Sequence, residues 1–128
     1  MFDLILRGGT VIDGTGRAVF GADVAVEDGA IAAVGHLPDA AARETVDCTG
    51  MTVTPGFIDI HRHADAALFR EGFGDAELFQ GLTTIVNGNC GLSIAPSGGA
   101  FQTDVFDYLT PVTGRPEKRM RTESLGSY

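Results

Sequence analysis

The sequence predicts an α/β protein made of two unlike pieces, a small β-sheet subdomain over residues 1–54 and, over residues 55–128, a region that opens with a strand–helix–strand unit. Three observations predict it. Short β-rich stretches separated by Gly and Asp fill the first piece, Pro55-Gly56 marks a change of pattern, and an apolar strand, a helical stretch and a second strand follow. The length of 128 residues suits one modest domain or two small subdomains, and 44% hydrophobic with 20% charged residues is a folding composition.

In the first piece the expected strands are Asp3–Leu6, Thr10–Ile12, Ala22–Glu27, Ala30–Val34 and Met51–Thr54. Asp28-Gly29 joins the third to the fourth, because a two-residue type I′ hairpin needs positive φ at both positions and Asp-Gly tolerates it. Asp13-Gly14 is a second turn signal. Alternation in Ala22–Glu27 sets Ala22, Val24 and Val26 on one face and Asp23, Ala25 and Glu27 on the other, the pattern of a half-buried sheet. Residues Pro38 to Glu44 read as a loop with at most one helical turn.

In the second piece Phe57–His61 reads as a compact apolar strand, Ala64–Gly81 as a helix interrupted near Gly72 and Gly74, and Thr83–Val86 as a strand. Strand, helix, strand is the unit from which parallel sheets and (β/α) barrels are built. A Gly- and Pro-rich loop follows, with Phe101–Leu109 a strand or helix and no pattern beyond Thr110.

Nine Lys and Arg against 17 Asp and Glu give a net charge of −8, which argues against a nucleic-acid partner. The tail from Pro111, with Arg115, Lys118, Arg119 and Arg121 against Glu117 and Glu123, reads as a solvated segment. No apolar run approaches the roughly 18–20 residues of a membrane span, and no basic leader opens the chain, so a soluble cytoplasmic protein is expected. Two cysteines are too few for a disulfide framework.

His61 and His63 lie at the C-terminal end of the first strand of the second piece. Side chains at i and i+2 share a face, so the imidazoles converge in a manner that suits Zn²⁺. Taken alone, His-x-His reads equally as two polar residues at a strand end. Asp59 shares their face and could support them, while Arg62 points the other way. Cys90 follows the second strand behind Asn87-Gly88-Asn89. A thiolate there could bind zinc, although an isolated cysteine is more commonly a small buried hydrophobe. Cys48 reads as a packed thiol and His36 as a surface loop residue. The dinucleotide fingerprint, the Walker loop, the serine-nucleophile elbow and Cys-x-x-Cys do not occur.

Pro55-Gly56-Phe57-Ile58-Asp59-Ile60-His61-Arg62-His63 resembles the P-G-F-I-D-x-H-x-H signature of the amidohydrolase superfamily. Leu6–Gly14 and Gly29–Gly35 resemble the small β-domain that leads into those barrels. The stretch Gly81-Leu82-Thr83-Thr84-Ile85-Val86-Asn87-Gly88-Asn89-Cys90-Gly91-Leu92-Ser93-Ile94-Ala95-Pro96 resembles the N-acyl-D-amino-acid deacylases, or D-aminoacylases.

The resemblance implies a (β/α)8 TIM-like barrel hydrolase in which Cys90 is a zinc ligand and His61 and His63 belong to an adjacent metal position. Its substrate would be a small N-acyl-D-amino acid, hydrolysed to a carboxylate and a D-amino acid. A full barrel takes roughly 250 residues. The chain is therefore expected to be an N-terminal portion, incomplete as a barrel and inactive alone, folding with help from oligomerisation or the missing segments. The family's general base, an aspartate on a late strand, matches no position here. Two other readings compete: a cyclic amidohydrolase of the dihydroorotase or hydantoinase kind, which Cys90 argues against, and a non-catalytic truncated fragment.

Overall fold

The computed structural model describes residues 1–118 and 120–127; Arg119 of the basic tail and the final Tyr128 lie outside the described residues. The chain divides into two compact units, Met1–Pro55 and Gly56–Tyr128.

The first unit is a five-stranded sheet of β1 (Phe2–Val11), β2 (Phe20–Glu27), β3 (Ala30–Gly35), β4 (Ala42–Asp47) and β5 (Thr52–Val53). Its order is β3-β2-β1-β4, with β5 also pairing β1. Strands β1, β2 and β3 form antiparallel pairs, whereas β4 and β5 run parallel to successive halves of β1.

Two expected strands, Asp3–Leu6 and Thr10–Ile12, are thus one strand with an irregular register between Leu6 and Gly9. Gly8 sits at φ +70°, and a Cβ on Gly9 would lie 2.6 Å from Val53 Cγ2, so the Gly-Gly pair lets the strand continue through its bulge. The β2–β3 connection has positive φ at both Asp28 (51°) and Gly29 (74°), as an Asp-Gly hairpin requires.

Two expectations fail in this unit. The loop reading of Pro38 to Glu44 misses the start of β4 at Ala42. Strand β4 is mostly exposed along its length, so its sequence carries no alternating apolar signal and only the ladder with β1 defines it. Nor is β2 half-buried, since Ala22, Asp23, Val24 and Ala25 are all buried. Val11, Ala22 and Val24 form a core with Leu6, Phe20 and Val53. Ile5 and Ala25, paired across the strands, are 0% exposed.

Asp23 is buried because its carboxylate is fully engaged. It accepts hydrogen bonds from the Gly8 N–H (2.8 Å) and the Leu37 N–H (3.0 Å) and lies 3.4 Å from the Arg7 guanidinium. Arg7 in turn donates to the carbonyls of Leu37 and Ala40, anchoring the loop before β4.

The second unit contains β6 (Phe57–Arg62), α1 (Asp75–Phe79), β7 (Leu82–Asn87) and α2 (Gln102–Thr113). Strands β6 and β7 pair in parallel, from Phe57 opposite Leu82 to Arg62 opposite Asn87. The helix expected over Ala64–Gly81 shrinks to five residues: Gly72 and Gly74 both have positive φ, and residues 64–74 form turns instead. From Gln102 onward the Phe101–Leu109 stretch belongs to α2, with Phe101 as its N-cap, and the helix runs into the expected solvated tail as far as Thr113; Leu109 and Thr113 are buried. A closed barrel is not formed among the described residues.

Candidate metal centre

The C-terminal end of β6 and the turn after β7 carry the chemistry. Parallel pairing puts both strand ends at one edge of the sheet, and the ladder's last pair is Arg62 with Asn87. His61 and His63 lie around that end with ring centroids 5.1 Å apart and ring planes at 67°. Cys90 occupies the turn closed by the Gly91 N–H to Gly88 carbonyl bond, and its Sγ lies 3.7 Å from His63 Nε2. One donor atom from each of the three residues falls within a 4.8 Å set.

Cys90 and His61 are exposed and His63 is half-buried. The commoner fate of an isolated cysteine, a buried apolar filler, therefore does not describe Cys90. It describes Cys48, which is buried in the first unit, and His36 is an exposed residue just after β3.

Two imidazoles and a thiol are the donor types that zinc prefers, with Zn–N of about 2.0–2.1 Å and Zn–S of about 2.3 Å. Tetrahedral bonds of those lengths put a sulfur and a nitrogen about 3.6 Å apart, close to the observed 3.7 Å. His63 Nδ1 is buried with no hydrogen-bond partner among the described residues. A buried nitrogen without a partner is a cost that further ligation or hydrogen bonding would relieve. On donor chemistry and spacing the three residues fit zinc.

The surroundings of the three are polar. Asp59 accepts from the His61 backbone N–H at 3.1 Å and lies 3.9 Å from Arg62, so it supports His61 through the main chain. Arg62 pairs with Glu77 on α1, tying the strand end to the helix.

Asn87 and Asn89 have roles the sequence reading missed. Asn87 Oδ1 accepts from the Ala64 N–H at 3.1 Å, and Asn89 Nδ2 donates to the Ile60 carbonyl, so the two amides stitch the end of β7 and the turn after it to β6 and the residues just beyond it. The signal was available as two amide residues flanking a glycine at a strand end, where such side chains satisfy loose backbone groups. Asp65 and Ser93 were missed too. Ser93 Oγ donates to Asp65 Oδ1 at 2.8 Å, and Asp65 is 0% exposed. No helix is long and apolar enough to cross a membrane among the described residues.

Residues 44–120 match the amidohydrolase family. The chain is 42% identical to a D-aminoacylase of Alcaligenes xylosoxydans xylosoxydans, an alignment that takes in 90% of this chain and 27% of that protein. A crystal structure of a D-aminoacylase superposes with a TM-score of 0.73 at 42% identity, over 91% of this chain and 25% of that one. The N-acyl-D-glutamate deacylase of Bordetella bronchiseptica, solved with zinc and a phosphonate inhibitor, gives a TM-score of 0.70 at 45% identity, over 75% of this chain and 20% of that one. The chain thus spans about a quarter of the length of the relatives it matches.

Proposed function

Because the chain belongs to the amidohydrolase family, we propose that it contributes part of the metal site of a zinc-dependent N-acyl-D-amino-acid deacylase, with His61, His63 and Cys90 as ligands. One observation carries the reading: the three donor atoms lie within 4.8 Å of one another although Cys90 is 27 residues from His63. The relatives' activity and the zinc of the Bordetella enzyme support it. Strands β6 and β7 with α1 are then the first units of a (β/α)8 barrel, a reading supported by the exposed apolar side chains of Phe57, Ile58 and Ile60 on β6.

When bound, zinc polarises an amide carbonyl and makes a water more acidic. The chain's own residues prepare the place for it. His61 and His63 would each offer a ring nitrogen and Cys90 its sulfur, one donor atom apiece. Asp59, through the His61 N–H, and Asn89, through the Ile60 carbonyl, hold the backbone on which the imidazoles sit. The reaction is hydrolysis of a linear amide: water supplies oxygen to the acyl carbon, the C–N bond breaks, and the nitrogen leaves as the amine of the D-amino acid.

Release of amine from N-acetyl-D-amino acids, compared with their L enantiomers and with a hydantoin, tests the proposal in the full-length zinc-loaded protein. Turnover of the D series alone is expected. Turnover of the hydantoin alone would move the protein to the cyclic-amide branch, and no turnover of either would overturn the deacylase reading.

A further inference from the structure

We infer that Asp65 is a positioning residue for the Cys90 loop, setting the distance between the Cys90 sulfur and His63; the inference rests on the metal-site reading above. The β6–β7 ladder ends at Arg62 and Asn87, so both His63 and Cys90 lie beyond the last backbone pair. Cys90 is flanked by Gly88 and Gly91, both at positive φ and neither a source of rigidity. Something other than the sheet must hold Cys90 near His63.

Asp65 follows His63 by two residues, and Ser93 follows Cys90 by three. The Asp65 carboxylate, completely buried, accepts at Oδ1 from the Ser93 hydroxyl at 2.8 Å and from the Ile94 N–H at 3.4 Å. Ala64, Ala66, Ile94 and Ala95 around it are also buried. A buried carboxyl is tolerated only where hydrogen bonds replace its water, so this acid makes the two loops dependent on one another. Asn87 and Asn89 fasten the near side of the Cys90 turn to β6, and Asp65 fastens its far side.

A merely structural acid would change melting and leave the sulfur's metal contact alone, and cobalt(II) separates the two roles. The full-length protein is loaded with cobalt in place of zinc. The thiolate-to-cobalt charge-transfer band reports the sulfur, chelator competition reports affinity, and melting of the metal-free protein reports structure.

Asp65→Ala is expected to lower cobalt affinity about 10–100-fold, the range typical of outer partners of metal ligands, and to weaken the thiolate band at saturation. Asp65→Asn keeps an acceptor oxygen for Ser93 and Ile94 and is expected to retain most of both signals. Ser93→Ala, which removes one donor and leaves the carboxylate, is expected to fall between them and decides the matter if Asp65→Ala fails to fold. Wild-type affinity and band in Ser93→Ala and Asp65→Ala would overturn the inference. So would a loss matched by lowered metal-free melting and not relieved in Asp65→Asn. A wild-type protein that binds cobalt without a thiolate band would instead overturn the role of Cys90, and the inference with it.

Discussion

The two units bury different things. In Met1–Pro55 the buried residues lie mainly in the strands, with Ile5, Val11, Ala22, Val24 and Ala25 removed from water along β1 and β2. In Gly56–Tyr128 neither strand buries a residue: β6 and β7 are exposed or half-buried throughout, and the buried positions among the described residues are Ala64, Asp65, Ala66, Ile94 and Ala95 in the loops after the strands, Leu109 and Thr113 on α2, and Thr122 beyond it. The first unit is thus a sheet held by its own side-chain packing. In the second, the loops after the strands, which carry the candidate metal centre, are cross-linked by side-chain hydrogen bonds. Hydrogen bonds are directional and fix loop positions, whereas apolar packing alone does not set where a given sulfur points.

Substitutions of the same residue type in the two units sharpen this contrast. Ile5→Ala is expected to have the largest effect on stability, about 2–5 kcal/mol for a large-to-small change in a closed core, read as a shift of the denaturation midpoint of the first unit. Cys90→Ser is expected to cut zinc affinity more than about 100-fold, beyond the range for outer partners, while leaving the melting of the first unit unchanged. Equilibrium dialysis and metal analysis check it, and stoichiometric tight zinc in the variant would remove Cys90 from the site.

Next comes the buried acid of the first unit. Asp23→Ala leaves the Gly8 and Leu37 N–H groups without their acceptor, at about 1–3 kcal/mol for each amide that stays dry. The pH dependence follows from the same bonds. The N–H groups of Gly8 and Leu37, then the charges of Arg7 and His36, outweigh burial and hold the Asp23 carboxyl below the usual carboxylate value. A carboxyl lowered in the folded state binds protons less readily there than when unfolded. Its contribution is therefore complete above the unfolded value of about 3.8 and is lost as pH falls through the lower folded value. An acid titration of wild type against Asp23→Ala should show the two stabilities converging toward low pH.

Smaller effects test the turn and the exposed strand. Gly29→Ala forces an L side chain into φ 74°, for about 1–2 kcal/mol. Ile60 is 70% exposed, so Ile60→Ala in the 128-residue chain is expected to stay within about 0.5 kcal/mol. A loss like that of Ile5→Ala would erase the distinction between the units.

Several of these features were legible beforehand because they depend on neighbours in the chain. The Asp28-Gly29 hairpin follows from local φ preferences, and the approach of the His61 and His63 rings to 5.1 Å is that of residues two apart at a strand end, although β6 itself stops at Arg62. The glycines at 72 and 74 warned that the 64–81 helix would break, though not that it would keep only five residues. Strand β4 and the burial of Asp23 were not legible. Ala42–Asp47 has the composition of a polar loop until β1 pairs with it, and Asp23 looks solvent-facing until Gly8, Leu37 and Arg7 arrive to satisfy it.

By itself the sequence determined the elements whose cause is local: the turns that only Gly or Asp can make, the apolar strand ahead of His61, and the donor types available to a metal. Tertiary structure alone decided which of these groups meet. Gly8 reaches Asp23 across 15 residues, Cys90 reaches His63 across 27 and Ser93 reaches Asp65 across 28. Contacts at such separations carry no periodicity in the chain, and they form only once strand pairing has fixed which loop ends lie side by side.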